Sequence, residues 1–168
     1  MITFDEGNMR FDYRVAGVVI DDGRVLLEKV EGWSLPGGRG ELLEPAEETL
    51  KREMREELSI EIKVNRLLWV VENFFTGNDF HTGDEMSCHE MGLYFMVELP
   101  ESSQLRELAE LPGVEKGFRR VFKWYPINIL GNITLVPSFL QKSLKKIPDN
   151  IEHIVHTEVS CKFAVNRG

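Results

Sequence analysis

Residues 37–60 read GGRGELLEPAEETLKREMREELSI, and the fold turns on how this stretch is parsed. Pro45 suits the first position of a helix, where its missing N–H costs nothing. From there to Leu58 the residues Ala46, Leu50, Met54 and Leu58 recur every fourth position. That spacing draws a narrow apolar stripe down an otherwise charged helix. Seven glutamates fall between Glu41 and Glu57. Glu53, Glu56 and Glu57 stand at i, i+3 and i+4, so their carboxylates project from one side of the helix. Like charges at that spacing weaken a helix by about 0.2–0.5 kcal/mol per pair, and Lys51, Arg52 and Arg55 offset this only in part.

Upstream, residues 11–20 read as a strand, 21–23 (Asp-Asp-Gly) as a turn and 24–30 as a second strand, which makes a hairpin. Residues 33–40, WSLPGGRG, read as a loop whose glycines let backbone approach a ligand closely. Downstream, residues 60–75 are rich in β-branched and aromatic side chains, as one long strand or two short ones. Residues 76–88 form a polar loop, and 91–99 a strand so continuously apolar that both faces are expected to be buried. A loop with a helical turn at 105–111, a short strand at 121–125 and a turn at 126–131 follow. Pro137 then opens a helix running to about Lys146, and a closing strand covers 151–159. Strands and helices mix without regular βαβ alternation, so the expectation is an α+β fold with a mixed sheet, as one domain over residues 1–168.

Composition bounds the function. A chain of 168 residues can bury roughly two-thirds of its unfolded surface, and 42% hydrophobic with 29% charged residues fits a globular fold. Twenty Lys and Arg against 28 Asp and Glu give a net charge of −8, which disfavours nucleic-acid binding. No apolar run approaches the roughly 20 residues of a membrane span. The stretch MITFDEGNMRFDYR lacks a signal peptide's pattern, so a cytoplasmic location is expected. Cys88 and Cys161 fit neither a disulfide framework nor a CxxC metal site.

A charged helix face is usually just solvated. The double glycine and the acidic loop feeding this one shift the balance, because together they make a set of hard oxygen ligands suited to Mg2+ or Mn2+ with substrate phosphates completing the shell. The stretch also resembles the Nudix box, G-x5-E-x7-R-E-U-x-E-E-x-G-U with U bulky and apolar. Gly38 takes the first position, Glu44 the next, then Arg52-Glu53, Met54, Glu56-Glu57 and Ile60. Ser59 stands where the pattern has glycine. Glycine there would end the helix in the left-handed conformation, which a β-carbon disfavours by about 1–2 kcal/mol. The hairpin before the box and Trp124-Tyr125-Pro126 after it fit the same family order.

The resemblance implies a mixed sheet flanked by helices, an α/β/α sandwich, and hydrolysis of a nucleoside diphosphate linked to another moiety, with Mg2+ or Mn2+ as cofactor. It assigns the metal to Glu53, Glu56, Glu57 and the Gly38 carbonyl. Arg52 would orient a glutamate by a charge-assisted hydrogen bond, and Glu44 would brace the loop against the helix or bind metal through water. Glu53 is the candidate general base, with Glu85, Glu90 and Glu98 available outside the box. Partners reduce to a small nucleotide-type molecule, with a homodimer allowed.

Other side chains carry two readings each. Trp33 stacks on a base or belongs to the core, and Arg39 holds a phosphate or solvates the loop. Phe74, Phe75, Phe80 and Tyr94 share the ambiguity of Trp33. His153 and His156, three apart on a strand, point to opposite faces and are not a metal pair. His81 and His89 lie in or beside a polar loop that either closes on substrate or is an ordinary loop. A Nudix-fold module that senses a nucleotide without turnover is the competing function, and the intact carboxylate trio argues against it. An isomerase on the same fold would be separated by product analysis. A charged helix with no site would gain no thermal stability from Mg2+ or Mn2+.

Overall fold

A computed structural model describes residues 1–29, 32–79, 82–107, 110–115 and 118–158, with 110–115 and 118–119 as backbone alone. In chain order its elements are β1 (Thr3–Glu6), β2 (Met9–Asp21), β3 (Arg24–Lys29), β4 (Trp33–Ser34), β5 (Gly37–Arg39), α1 (Ala46–Leu58), β6 (Lys63–Asn78), β7 (Glu85–Glu98), β8 (Glu110–Glu115), β9 (Phe118–Pro126), α2 (Leu140–Ser143) and β10 (Glu152–Thr157). The strands form one mixed sheet in the order β10-β6-β7-β2-β3-β9-β8. β10 runs parallel to β6 and β2 parallel to β7, while the other pairs are antiparallel.

The β2–β3 hairpin turns at Asp22 and Gly23, both with positive φ, as a two-residue primed turn requires. These strands pair only at Ile20↔Val25 and Asp21↔Arg24. Beyond that, β2 takes β5 as partner and β3 takes β4. The sheet therefore opens at this seam, and the glycine segment enters it.

Alternation along β2 divides the core. Val15 and Val19 face α1 and pack with Leu26, Leu50, Met54, Phe95 and Phe122. Ala16 and Val18 face the other way, toward Trp69, Tyr94, Leu130, Leu135, Leu140 and Leu144. Helical segments thus cover both faces of a mixed sheet, which is the expected α+β class. Among the described residues no helix is long and apolar enough to cross a membrane.

Several boundaries differ from the sequence reading. Pro45 is extended (φ −62°, ψ 148°) and caps α1 from outside rather than opening it. Residues 33–40 contain β4 and β5, because the glycines themselves pair with β2. Of the polar loop expected at 76–88, Thr76 to Asn78 and Glu85 to Cys88 are instead strand, paired across the β6–β7 hairpin. Within 101–117, Gln104–Arg106 is a 3-10 turn and β8 is a strand. Pro112 sits there without breaking the sheet because β8 is an edge. The helix expected from Pro137 to Lys146 is α-helical only over Leu140–Ser143. Its flanks tighten to i→i−3 bonds, such as Leu140 N–H to Pro137 O and Lys145 N–H to Lys142 O.

The departure at Ser59 has its structural counterpart. Ser59 lies at φ 55°, ψ 36°, and its N–H donates to the Arg55 carbonyl at 2.9 Å, so a side chain occupies the left-handed position that ends α1. Ser59→Gly is expected to stabilise the fold by about 1 kcal/mol and to leave turnover unchanged. Urea unfolding reads this directly, and a loss of stability would refute it.

Candidate active site

The site is built on glycine. β5 pairs with β2 through Ala16↔Gly37, Val15↔Gly38 and Arg14↔Arg39. Gly37 has φ +144°, and a β-carbon there would enter the Val15 carbonyl of the neighbouring strand. At Gly38 a β-carbon would fall on the carboxylate of Glu53. The bare backbone of β5 and the middle turn of α1 therefore touch, and the touching group is a glutamate.

The helix period then sorts the carboxylates. Glu53 and Glu57, four apart and beside the buried Thr49, Leu50 and Met54, are 7% and 3% exposed. Glu56 lies on the outer edge and is exposed. Arg52 ties these groups to the loop. Its Nη1 donates to Glu53 Oε1 at 2.7 Å and reaches Glu56 Oε2 at 3.5 Å. Nε and Nη2 donate to the two oxygens of Glu44 at 2.9 and 3.1 Å, a forked pair. Nη2 also donates to the Arg39 carbonyl at 3.2 Å. Glu44 accepts a further bond from Thr49 Oγ1 at 2.7 Å.

The Arg52 bonds, helped by Thr49 and the Glu41 N–H, pull the Glu44 carboxyl down to about 2 from its ordinary 4.5. A carboxyl lowered on folding stabilises the protein above its unfolded pKa and loses that contribution as pH falls. Glu44→Gln is therefore expected to be less stable than the parent at neutral pH. That gap should close as pH drops from about 4.5 to about 2. Melting temperatures of both proteins across that range test it, and a gap independent of pH refutes it.

Other expected residues are placed differently. Arg39 forms a two-point ion pair with the buried Asp12, at 2.8 and 3.0 Å. Trp33 is half-buried, its ring edge-on to Tyr125 at 4.8 Å with Lys29 Nζ 5.2 Å from its centroid. Glu98 is exposed at the far end of β7, bound by Lys63 and Asn65, and Glu85 is exposed at the other end. Glu90 stands between Asn73 and Asp12 on the sheet face turned away from α1, and burial pushes its carboxyl up. His153 meets Glu72 at 2.8 Å and His156 meets Ser138 at 3.2 Å, so the two rings are separate. His89 stacks on Phe74 at 4.4 Å. Phe80, His81 and Cys161 lie outside the described residues.

Two residues beside this site escaped the sequence reading. Glu28, in β3, shares the inward face of Leu26 and is fully buried. Arg120, in β9, forms an ion pair with it and stands 3.2 Å from Glu57. A glutamate on the inward parity of an apolar strand was the available signal.

Among the described residues no three carboxylate, imidazole or thiol groups stand ready as a metal cage. Buried carboxylates gathered beside a glycine backbone, with arginines as their counter-charges, are nonetheless the hard donor set a small divalent cation takes.

A family model described as the NUDIX domain matches residues 11–147. No curated protein matches the sequence. Among solved structures, a mutator MutT protein from Bacillus halodurans is 18% identical with a TM-score of 0.54, covering 86% of this chain and 89% of that one. A Nudix hydrolase from Nitrosomonas europaea is 14% identical with a TM-score of 0.54, covering 88% and 79%. A MutT Nudix hydrolase from Burkholderia pseudomallei is 25% identical over 70% of this chain and 84% of its own, with a TM-score of 0.48.

Proposed function

This chain belongs to the Nudix family of pyrophosphohydrolases, and from that premise we propose that it cleaves a pyrophosphate linkage in a nucleoside diphosphate derivative with the help of Mg2+ or Mn2+. The observation that carries the proposal is the contact of Glu53 with Gly38, braced by the Arg52–Glu44 fork. A solvated charged helix has no need to bury a glutamate against a strand, or to hold that glutamate by an arginine fixed elsewhere.

The residues that would hold the cation are Glu53, Glu56, Glu57 and the Gly38 carbonyl. A divalent cation there supplies positive charge against the pyrophosphate oxygens and acidifies water. The protein's own part is positional. Glu53 takes the proton from the attacking water, being the glutamate fixed at the glycine backbone. Arg52 holds that carboxylate in place, and Glu44 fixes Arg52 in turn. Arg39 of β5 and Trp33 of β4 are the residues proposed to meet the substrate's phosphate and base.

The test is a panel of nucleotide sugars, dinucleoside polyphosphates, ADP-ribose and ordinary and oxidised nucleoside triphosphates, each incubated with Mg2+ or Mn2+ and resolved by product. Release of a nucleoside monophosphate or pyrophosphate from at least one class supports the proposal. Hydrolysis undiminished in excess EDTA, or no turnover across the panel, overturns it.

A further inference from the structure

Two arginines face each other across one pair of strands. Arg14 of β2 and Arg39 of β5 are directly opposed in the antiparallel register, so both side chains leave the sheet on the same side. It is the side of Ala16 and Val18, away from α1. Like charges set opposite each other in this way repel, and position 14 lies in the same alternation as the apolar residues at 16 and 18.

The two guanidiniums are engaged differently. Arg39 is fixed by Asp12, itself 3% exposed, through Nε at 2.8 Å and Nη2 at 3.0 Å. Its Nη1 meets the sulfur of Met1 at 3.7 Å, a weak acceptor. Arg14 is half-buried and donates from Nη2 to the Leu35 carbonyl at 3.2 Å. Among the described residues that is its single hydrogen bond, and no carboxylate stands within 4.0 Å of it. Glu90, on β7 in the row of Asp12, acts on Arg14 only as a more distant charge.

A guanidinium carries five N–H donors, and partly burying one with most of them unanswered by the protein is costly. Two such groups held side by side form the planar, forked donor set that phosphate takes. Their place in the chain fits that ligand. Arg39 follows Gly38, the glycine against which the Glu53 carboxylate lies, and the Arg39 carbonyl accepts from Arg52 Nη2 at 3.2 Å. One residue of backbone therefore separates the arginine pair from the carboxylate site.

We propose that Arg14 and Arg39 together form an anion subsite that grips a phosphate group of the substrate, with Arg39 held ready by Asp12. The subsite lies on the sheet face opposite α1, apart from the glutamates of the helix. The inference rests on the hydrolase reading above and adds Arg14 to it.

The test uses inorganic pyrophosphate on metal-stripped protein in EDTA, where the carboxylates of α1 can only repel it. In calorimetric titration Arg14→Gln is expected to bind pyrophosphate at least about tenfold more weakly than the parent. Arg14→Lys, which keeps the charge and loses the fork, is expected to fall between them. With the substrate class hydrolysed in Mg2+, Arg14→Gln is expected to raise KM about tenfold, with a smaller change in kcat. An Arg14 that only balances Glu90 predicts lower metal-free stability with pyrophosphate affinity and KM unchanged, and that result overturns the inference.

If Arg14→Gln does not fold, the parent protein decides. The Arg14 Nε–H resonance, assigned by its disappearance in Arg14→Lys, is expected to shift in step with added pyrophosphate. Pyrophosphate bound with that resonance unmoved, or no pyrophosphate bound by the metal-free parent, overturns the subsite while turnover across the substrate panel leaves the hydrolase reading standing. No turnover across the panel overturns the hydrolase reading instead, and is told apart by pyrophosphate still binding at Arg14.

Discussion

Glu53→Gln is expected to lower kcat/KM by at least about a hundredfold, the scale of one lost electrostatic group in a catalytic site, with little change in stability. The amide keeps the shape and still accepts from Arg52 Nη1, which now lies 2.7 Å from Glu53 Oε1. Arg52 also keeps its forked pair with Glu44, and one negative charge fewer eases the repulsion with Glu57 a turn away. What the amide cannot do is accept the proton of water or ligate a cation as a carboxylate does. Glu48→Gln, on the exposed side of the same helix, loses only its pair with Lys51 at 2.8 Å. It is the control, expected to retain parental activity and to cost a few tenths of a kcal/mol. Steady-state kinetics and metal-free melting temperatures on the two variants separate the readings. Near-parental activity in Glu53→Gln removes it from the site.

The parts of this molecule legible in its sequence are those whose reason is local. The β2–β3 hairpin followed from an Asp-Asp-Gly turn between apolar runs, and α1 from a four-residue recurrence closed by a residue that must be left-handed. That requirement is met at Ser59 by a side chain where glycine would be at ease. The parts that were not legible depend on distant pairing. β8 carries Pro112 and Gly113, local marks of a loop, and is a strand only because β9 offers it an edge. Thr76 to Asn78 look like a polar loop until β7 supplies the partner that extends them. The helix after Pro137 shortened because its apolar residues, Leu140 and Leu144, serve as a cap on the core beneath the sheet.

The site divides in the same way. Within the helix and its loop, the resemblance implies that Arg52 orients a glutamate and that Glu44 braces the loop against the helix, and Arg52 is hydrogen-bonded to both Glu53 and Glu44. Residues whose partners come from other strands read ambiguously. Arg39 binds Asp12 of β2, and Trp33 packs on Tyr125 of β9. Glu28 and Arg120 reach Glu57 only through the β3–β9 pairing and the packing of α1. Among the outlying glutamates, alternation alone sets Glu90 on the face away from α1, once the register of β7 on β2 is known.

Gly38→Ala and Gly37→Ala, adjacent and chemically identical changes, are expected to fail in opposite ways. At Gly37 the added carbon meets backbone, the Val15 carbonyl and the Ala16 Cα, in a conformation that side chains rarely adopt. Neither obstacle can step aside, so the cost is expected to be about 3 kcal/mol or more, a fall of about 6–12 °C in Tm for a chain of this length. At Gly38 the atoms nearest the added carbon are those of the Glu53 carboxylate, the far end of a side chain. The carboxylate moves and the fold remains, with Tm expected within a few degrees of the parent. Activity is what is lost, by about a hundredfold, because the carboxylate has left the backbone that positions it. A double variant decides whether Glu53 is the route. Groups that act as a unit are strongly non-additive, so Gly38→Ala combined with Glu53→Gln is expected to be barely worse than Glu53→Gln alone. Losses that multiply would show that Gly38 supports turnover through something other than the placement of Glu53, and the contact on which the proposed site rests would then be a packing contact only.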